Sequence, residues 1–105
     1  MKILVPISGL EVAPRFDMAP EVLIATTDEN KVIVSTRTMV LPQASADDLC
    51  SLILTEHIDI VACNGIEEEY YRFLTWKKIT IIDAIMDTAE NALALACSEN
   101  TQHNS

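Results

Sequence analysis

The stretch EVLIATT-DENK-VIVSTRT, residues 21–38, limits the possible folds more than any other part of this chain. Two β-branched runs joined by a short polar turn read as an antiparallel hairpin. A short apolar strand, KILVPI (2–7), precedes it, and after it the periodicity changes. Ser45-Ala46-Asp47-Asp48 has the form of a helix start, with acids in the first turn, and Leu49, Leu52 and Ile53 continue it as an apolar stripe. DIVAC (59–63) reads as a buried strand that Asn64-Gly65 ends. EEEYYRFLTWK (67–77) reads as a second helix with three glutamates at its positive end. TIID (80–83) is a last strand. A final helix near 88–98 places Ala89, Leu93, Ala96 and Cys97 on one face.

The expected order is therefore β-β-β-α-β-α-β-α, without repeats or linkers. A hairpin followed by βα units gives a mixed sheet, antiparallel on one side and parallel on the other. With the first strand central, the fourth lies parallel beside it. This is a single-domain α/β, ribonuclease H-like arrangement over residues 1–98, followed by a polar, frayed tail over 99–105.

The connection from Ser8 to Pro20 is long for a hairpin, which normally crosses in two to five residues. It holds Gly9, two prolines and the triplet Arg15-Phe16-Asp17. The chain's only other glycine, Gly65, follows the fourth strand. In the expected topology both glycines open on one edge of the sheet, where α/β folds bind ligands. Glycine there either makes a turn or lets backbone N–H groups approach a ligand. The second helix starts at the same edge, but Glu67, Glu68 and Glu69 already supply negative charge to it.

Charge narrows the partners. Sixteen acids against seven bases give a net charge of −9, which argues against nucleic acid and suits solubility or a basic protein partner. No apolar run is long enough to cross a bilayer. MKILVPI enters strand pattern directly, without a small-residue cleavage site, so a cytoplasmic location is expected. Cys50, Cys63 and Cys97 contain no C-x-x-C pair, which predicts free thiols rather than a disulfide framework or a self-contained zinc site.

VPISG, then VAPRFDMAP, then a strand, then IDIVACNGI before a helix resembles the dinitrogenase iron–molybdenum cofactor-binding family. The resemblance covers about residues 1–98, and PRFDMA is its most specific part. It implies a ribonuclease H-like fold and a non-catalytic carrier that holds a metal–sulfur cluster or its precursor during cofactor assembly. Cluster-carrying members often begin the triplet with a histidine; this chain has Arg15, which cannot ligate a metal but can hydrogen-bond an anion. Phe16 packs under the loop. Asp17 pairs with Arg15 or satisfies loop backbone groups. The resemblance thus implies a crevice built from Ser8, Gly9, Arg15, Phe16, Asp17, Asn64 and Gly65. Cys63 is the soft metal ligand if its sulfur faces that crevice, and a core residue otherwise. Relatives carry more glycine where this chain reads LPQASADD and NGIEEE, which stiffens those loops and makes them more acidic.

No catalytic constellation appears. KILVPI contributes no carboxylate for two-metal phosphoryl chemistry, Asp59 and Asp83 flank different strand ends, and Ser8 lacks a neighbouring histidine. The expected function is non-enzymatic. The alternative is a regulatory or protein-interaction module of the same fold that has lost the cluster. It would use the acidic surface and the aromatics Tyr70, Tyr71, Phe73 and Trp76 to meet a partner protein or a second copy.

Overall fold

In the computed structural model, which describes residues 1–103 and the side chains of residues 1–98, the chain forms one mixed sheet between two helical layers. The strands are β1 (Lys2–Ser8), β2 (Glu11–Val12), β3 (Glu21–Thr27), β4 (Ile33–Val40), β5 (Ile60–Ala62) and β6 (Thr80–Ile82). The helices are α1 (Ala46–Thr55), α2 (Glu68–Trp76) and α3 (Ala89–His103). Sheet order is β4-β3-β1-β5-β6, with β2 also pairing on β1. β1 and β4 lie antiparallel to β3, whereas β5 runs parallel to β1 and β6 parallel to β5.

β1 is central because its residues can be buried on both faces. Leu4 points into a core with Val22, Ile24 and Val61 of the sheet, Leu49 and Ile53 of α1, and Leu74 of α2. Ile3, Val5 and Ile7 point the other way, against Ala89, Ala92, Leu93 and Ala96 of α3. Small alanines let α3 pack close to the sheet. β4, at the end of the sheet order, stays largely exposed.

The hairpin, the parallel pairing and the three helices agree with the sequence reading. Three differences have local causes. A sixth strand, β2, lies inside the connection that the sequence leaves irregular; two residues are too few to show periodicity. β4 runs to Val40, two residues beyond the expected end, because Met39 and Val40 keep pairing with Val22 and Glu21. α3 continues to His103, through most of the expected tail, where no glycine or proline stops it. Asn104 and Ser105 lie outside the described residues.

The helix ends explain two unusual backbones. Ser45 caps α1, its hydroxyl accepting the Asp48 N–H at 3.3 Å. At the other end His57 adopts φ 57°, with its N–H donating to Leu54 and that of Ile58 to Ile53. Lys78 repeats this after α2 at φ 66°, with N–H bonds from Lys78 to Thr75 and from Ile79 to Leu74. Both are Schellman closures, which glycine makes without the left-handed penalty. Lys78 is exposed. Lys78→Gly should therefore raise unfolding stability by about 0.5–1 kcal/mol in urea denaturation. An unchanged or lower midpoint would count against strain at this cap.

Candidate functional site

The C-terminal ends of β1, β5 and β6 share one edge of the sheet, here called the crest. The chain from Ser8 to Pro20 is fastened across it. β1 turns into β2 through Gly9 and Leu10, with Ile7 opposite Val12 and Ser8 opposite Glu11. Gly9 has φ 65°, the first-position glycine that a tight two-residue hairpin of this kind favours. The Ala13 N–H donates to the Pro6 carbonyl at 2.9 Å and keeps the chain folded back on β1. Val12 and Ala89 N–H groups bond to the Asp87 and Leu10 carbonyls, tying the hairpin to the start of α3.

Beyond Ala13 the chain crosses to β5's side. Gly65 N–H donates to the Pro14 carbonyl at 2.9 Å, and Phe16 N–H donates to the Gly65 carbonyl at 2.7 Å. Together they make a parallel bridge between Arg15 and Gly65. A Cβ on Gly65 would stand 2.9 Å from the Pro14 oxygen, so no other residue fits without opening the bridge. Gly65 is thus required by close approach of the loop, and its N–H is already engaged. A single 3-10 turn, Phe16–Met18, follows, and it drives Phe16 into the core to 2 % exposure, 6.2 Å from the Tyr70 ring.

Arg15 stays on the surface. Its Nε and Nη2 donate to the two Asp17 carboxylate oxygens at 3.0 and 2.7 Å, and Nη2 also lies 3.5 Å from Glu67. Of the two roles open to Asp17, the structure realises the pair with Arg15. Nη1 has no partner among the described residues. Its two N–H groups remain available to an anion.

The remaining site residues are distributed. Ser8 is exposed at the hairpin tip, and the half-buried Asn64 accepts the Ala84 N–H at 3.1 Å. Gly9 borders a different depression, about 460 Å³, between β3, β4 and the start of α3, lined by Leu10, Glu21, Leu23, Thr36 and Leu93 among others. Gly9 thus makes the β1–β2 turn, while Gly65 makes the bridge to the loop. Cys63 is 0 % exposed within the core that holds Leu4, Leu49 and Leu74. Burial first, and then the nearby Asp83 carboxylate, push its thiol up to about 12. Such a thiol is neutral and inaccessible, unsuited to binding a metal from the crest.

All three helices begin at the crest, so their positive ends converge there. Each is answered by its own acids: Asp47 and Asp48 on α1, Glu68 and Glu69 after Glu67 on α2, and Glu90 after Asp87 on α3. Hydrogen bonds from Asn91 and the Thr88 N–H hold the Asp87 carboxyl below its usual range. Among the described residues no three His, Cys, Asp or Glu side chains are grouped to hold a metal ion. No described helix is long and apolar enough to cross a membrane.

Sequence reasoning missed the partners of the triplet. Glu67 and Tyr70 were legible only as helix residues, because their contacts with Arg15 and Phe16 depend on how α2 lies beside the loop. Thr88 carried a local signal: its hydroxyl caps α3 by accepting the Asn91 N–H at 3.1 Å.

The thiols give a pH test. Cys63 and Cys50 titrate near 9 when exposed, and burial pushes them to about 12 and about 11 in the fold. A proton is therefore held in the native state and lost from the unfolded one above pH 9. Their contribution is complete below that pH and is lost as pH rises toward 12. Denaturant midpoints should fall over this range, and less steeply in Cys63→Ala once its own lower baseline is subtracted. Equal slopes would show that Cys63 is not protected.

Compared with known proteins, the chain matches the sequence pattern of the family described as "dinitrogenase iron-molybdenum cofactor" over residues 1–99. Among solved structures it is similar to the crystal structure of PH0822 (TM-score 0.83, 14 % identity, 94 % of this chain and 90 % of that one). It is also similar to MJ0327 from Methanocaldococcus jannaschii. The crystal structure of that protein gives a TM-score of 0.75 at 24 % identity, covering 94 % of this chain and 89 % of that one. Its NMR structure gives 0.77 at 22 %, covering 95 % and 89 %. At these identities the neighbours establish the fold. A search of curated proteins gives no match. The pattern spans nearly the whole chain and includes the clamped loop and the Gly65 turn, so this protein belongs to the dinitrogenase iron–molybdenum cofactor family.

Proposed function

We propose that this chain is a non-catalytic binding protein for a metal–sulfur species that arrives with its own sulfide ligands, a preassembled cluster or thiometallate, in cofactor assembly. Family membership supports the class of cargo. The mode of holding follows from Arg15. Where a histidine would coordinate, this chain offers a guanidinium with two free N–H donors on Nη1, on a loop that the Gly65 bridge keeps in place. Contact is then by charge-assisted hydrogen bonds, without a thiolate or imidazole from the protein. The acids of the crest oppose an anion, so binding is weak and sensitive to salt.

A second reading has its own observation. On α2, Trp76 is 72 % exposed and packs beside Phe73, with Lys77 Nζ 4.7 Å from the Trp76 ring centroid. Asp47, Glu69, Tyr70 and Phe73 line a groove of about 460 Å³ between α1 and α2. An aromatic surface with acidic margins suits a basic protein partner. This is the interaction module that has given up the cluster.

The test is anaerobic incubation with tetrathiomolybdate, followed by gel filtration, metal analysis and visible absorption. Wild type should retain a weak chromophore that Arg15→Ala loses. Glu67→Gln, which frees Arg15 of a competitor, should strengthen retention several-fold, and Arg15→His should strengthen it further. No retained chromophore in wild type, Glu67→Gln or Arg15→His would eliminate the carrier reading. The interaction reading instead requires partner capture that Trp76→Ala abolishes and Arg15→Ala leaves intact.

A further inference from the structure

β4 is an edge strand without the usual protection. Its open side can be read from the ladder. Leu41 N–H donates to the Pro20 carbonyl, and stepping by two residues makes Val22/Met39, Ile24/Arg37 and Thr26/Ser35 the hydrogen-bonded pairs with β3. The N–H and C=O groups of Thr36, Thr38 and Val40 therefore face outward, where no other strand among the described residues pairs with them.

Natural edges are blunted by short length, proline, free lysines or a covering segment. β4 has eight residues and no proline. Its one charge, Arg37, is tied to Glu56. The register shift opposite Thr26/Thr27 disturbs only its first residues. Val34 and Val40 are 60 % and 73 % exposed. Charge is distributed in the same sense. Although the chain carries −9, no acid occurs from Asn30 to Ala46, its longest stretch without one.

We propose that β4 is a homodimer interface, in which two copies pair their β4 strands antiparallel about a two-fold axis normal to the sheet. A second copy fits because such pairing is self-complementary: the outward groups of Thr36, Thr38 and Val40 meet the same groups of the other chain. Registers centred on Thr36 or Thr38 set Arg37 against Ser35 or Met39 of the partner subunit. Only a register centred on Arg37 would oppose like charges. Two bodies of equal negative charge also meet where each has no carboxylate in sequence. The inference is independent of what the crest binds.

Sedimentation equilibrium from micromolar to near-millimolar protein tests it. Wild type should show a monomer–dimer equilibrium that tightens as salt rises, because salt screens the repulsion between two acidic subunits. Thr38→Pro removes an outward N–H without breaking a β3–β4 bond, and should raise the dissociation constant by roughly tenfold or more. The double variant Thr36→Glu/Thr38→Glu leaves the backbone unaltered and adds acids across the axis. It should do the same, with circular dichroism confirming the fold. A wild type that stays monomeric at high protein and high salt would overturn the proposal. So would dimerisation as tight in both variants as in wild type, which would place the contact elsewhere.

Discussion

Every layer of this protein is built on β1, a strand with hardly any exposed face. It is paired on both sides, antiparallel to β3 and parallel to β5, and its alternating residues feed two separate cores. A polar group placed mid-strand would have neither water nor a hydrogen-bond partner. That requirement fixes the aliphatic run at residues 3–7 and makes β1 the reference for both halves of the sheet. It also decides where the crest begins, since β1 ends at Ser8 and the chain there must turn back over β2.

The elements that could be read from sequence are those whose signal is local. The hairpin of β3 and β4 announced itself through β-branched runs around a polar turn, and α1 through Ser45 and the stripe that follows it. β2 and the loop bridge could not be read in this way. Their residues carry no periodicity, and backbone hydrogen bonds hold them: β2 to β1 and Asp87, and the loop bridge to Gly65, far along the chain. The same limit applies to the candidate site. Arg15, Phe16 and Asp17 could be singled out, and the packing of Phe16 anticipated. The orientation of Cys63 could not, because its place in DIVAC allows either face until the sheet's helices are positioned. Nor could sequence separate the two glycines, since both follow strands that end at one edge.

At the crest, geometry and charge pull in different directions. The loop is well fixed, with its proline-flanked triplet held against a residue that cannot bear a side chain. Such fixing lowers the ordering cost of binding. Yet the three helix ends that would reward an anion are each met by carboxylates from their own first turns, and Arg15 is shared between Asp17 and Glu67. The scaffold is prepared for a ligand, while its electrostatics restrict that ligand to a few donors on one guanidinium.

The left-handed caps carry a thermodynamic meaning for the chain before it folds. Positive φ occurs at Lys31, His57, Lys78 and Ala84, residues with side chains, while glycine is present at only two positions. A chain so poor in glycine samples fewer backbone states when unfolded and gives up less entropy on collapse. Part of that saving reappears in the native state as strain at the four left-handed residues. The strain lies in turns and helix ends, away from both cores, so thermal opening should begin at these joints and leave the central strands to the last.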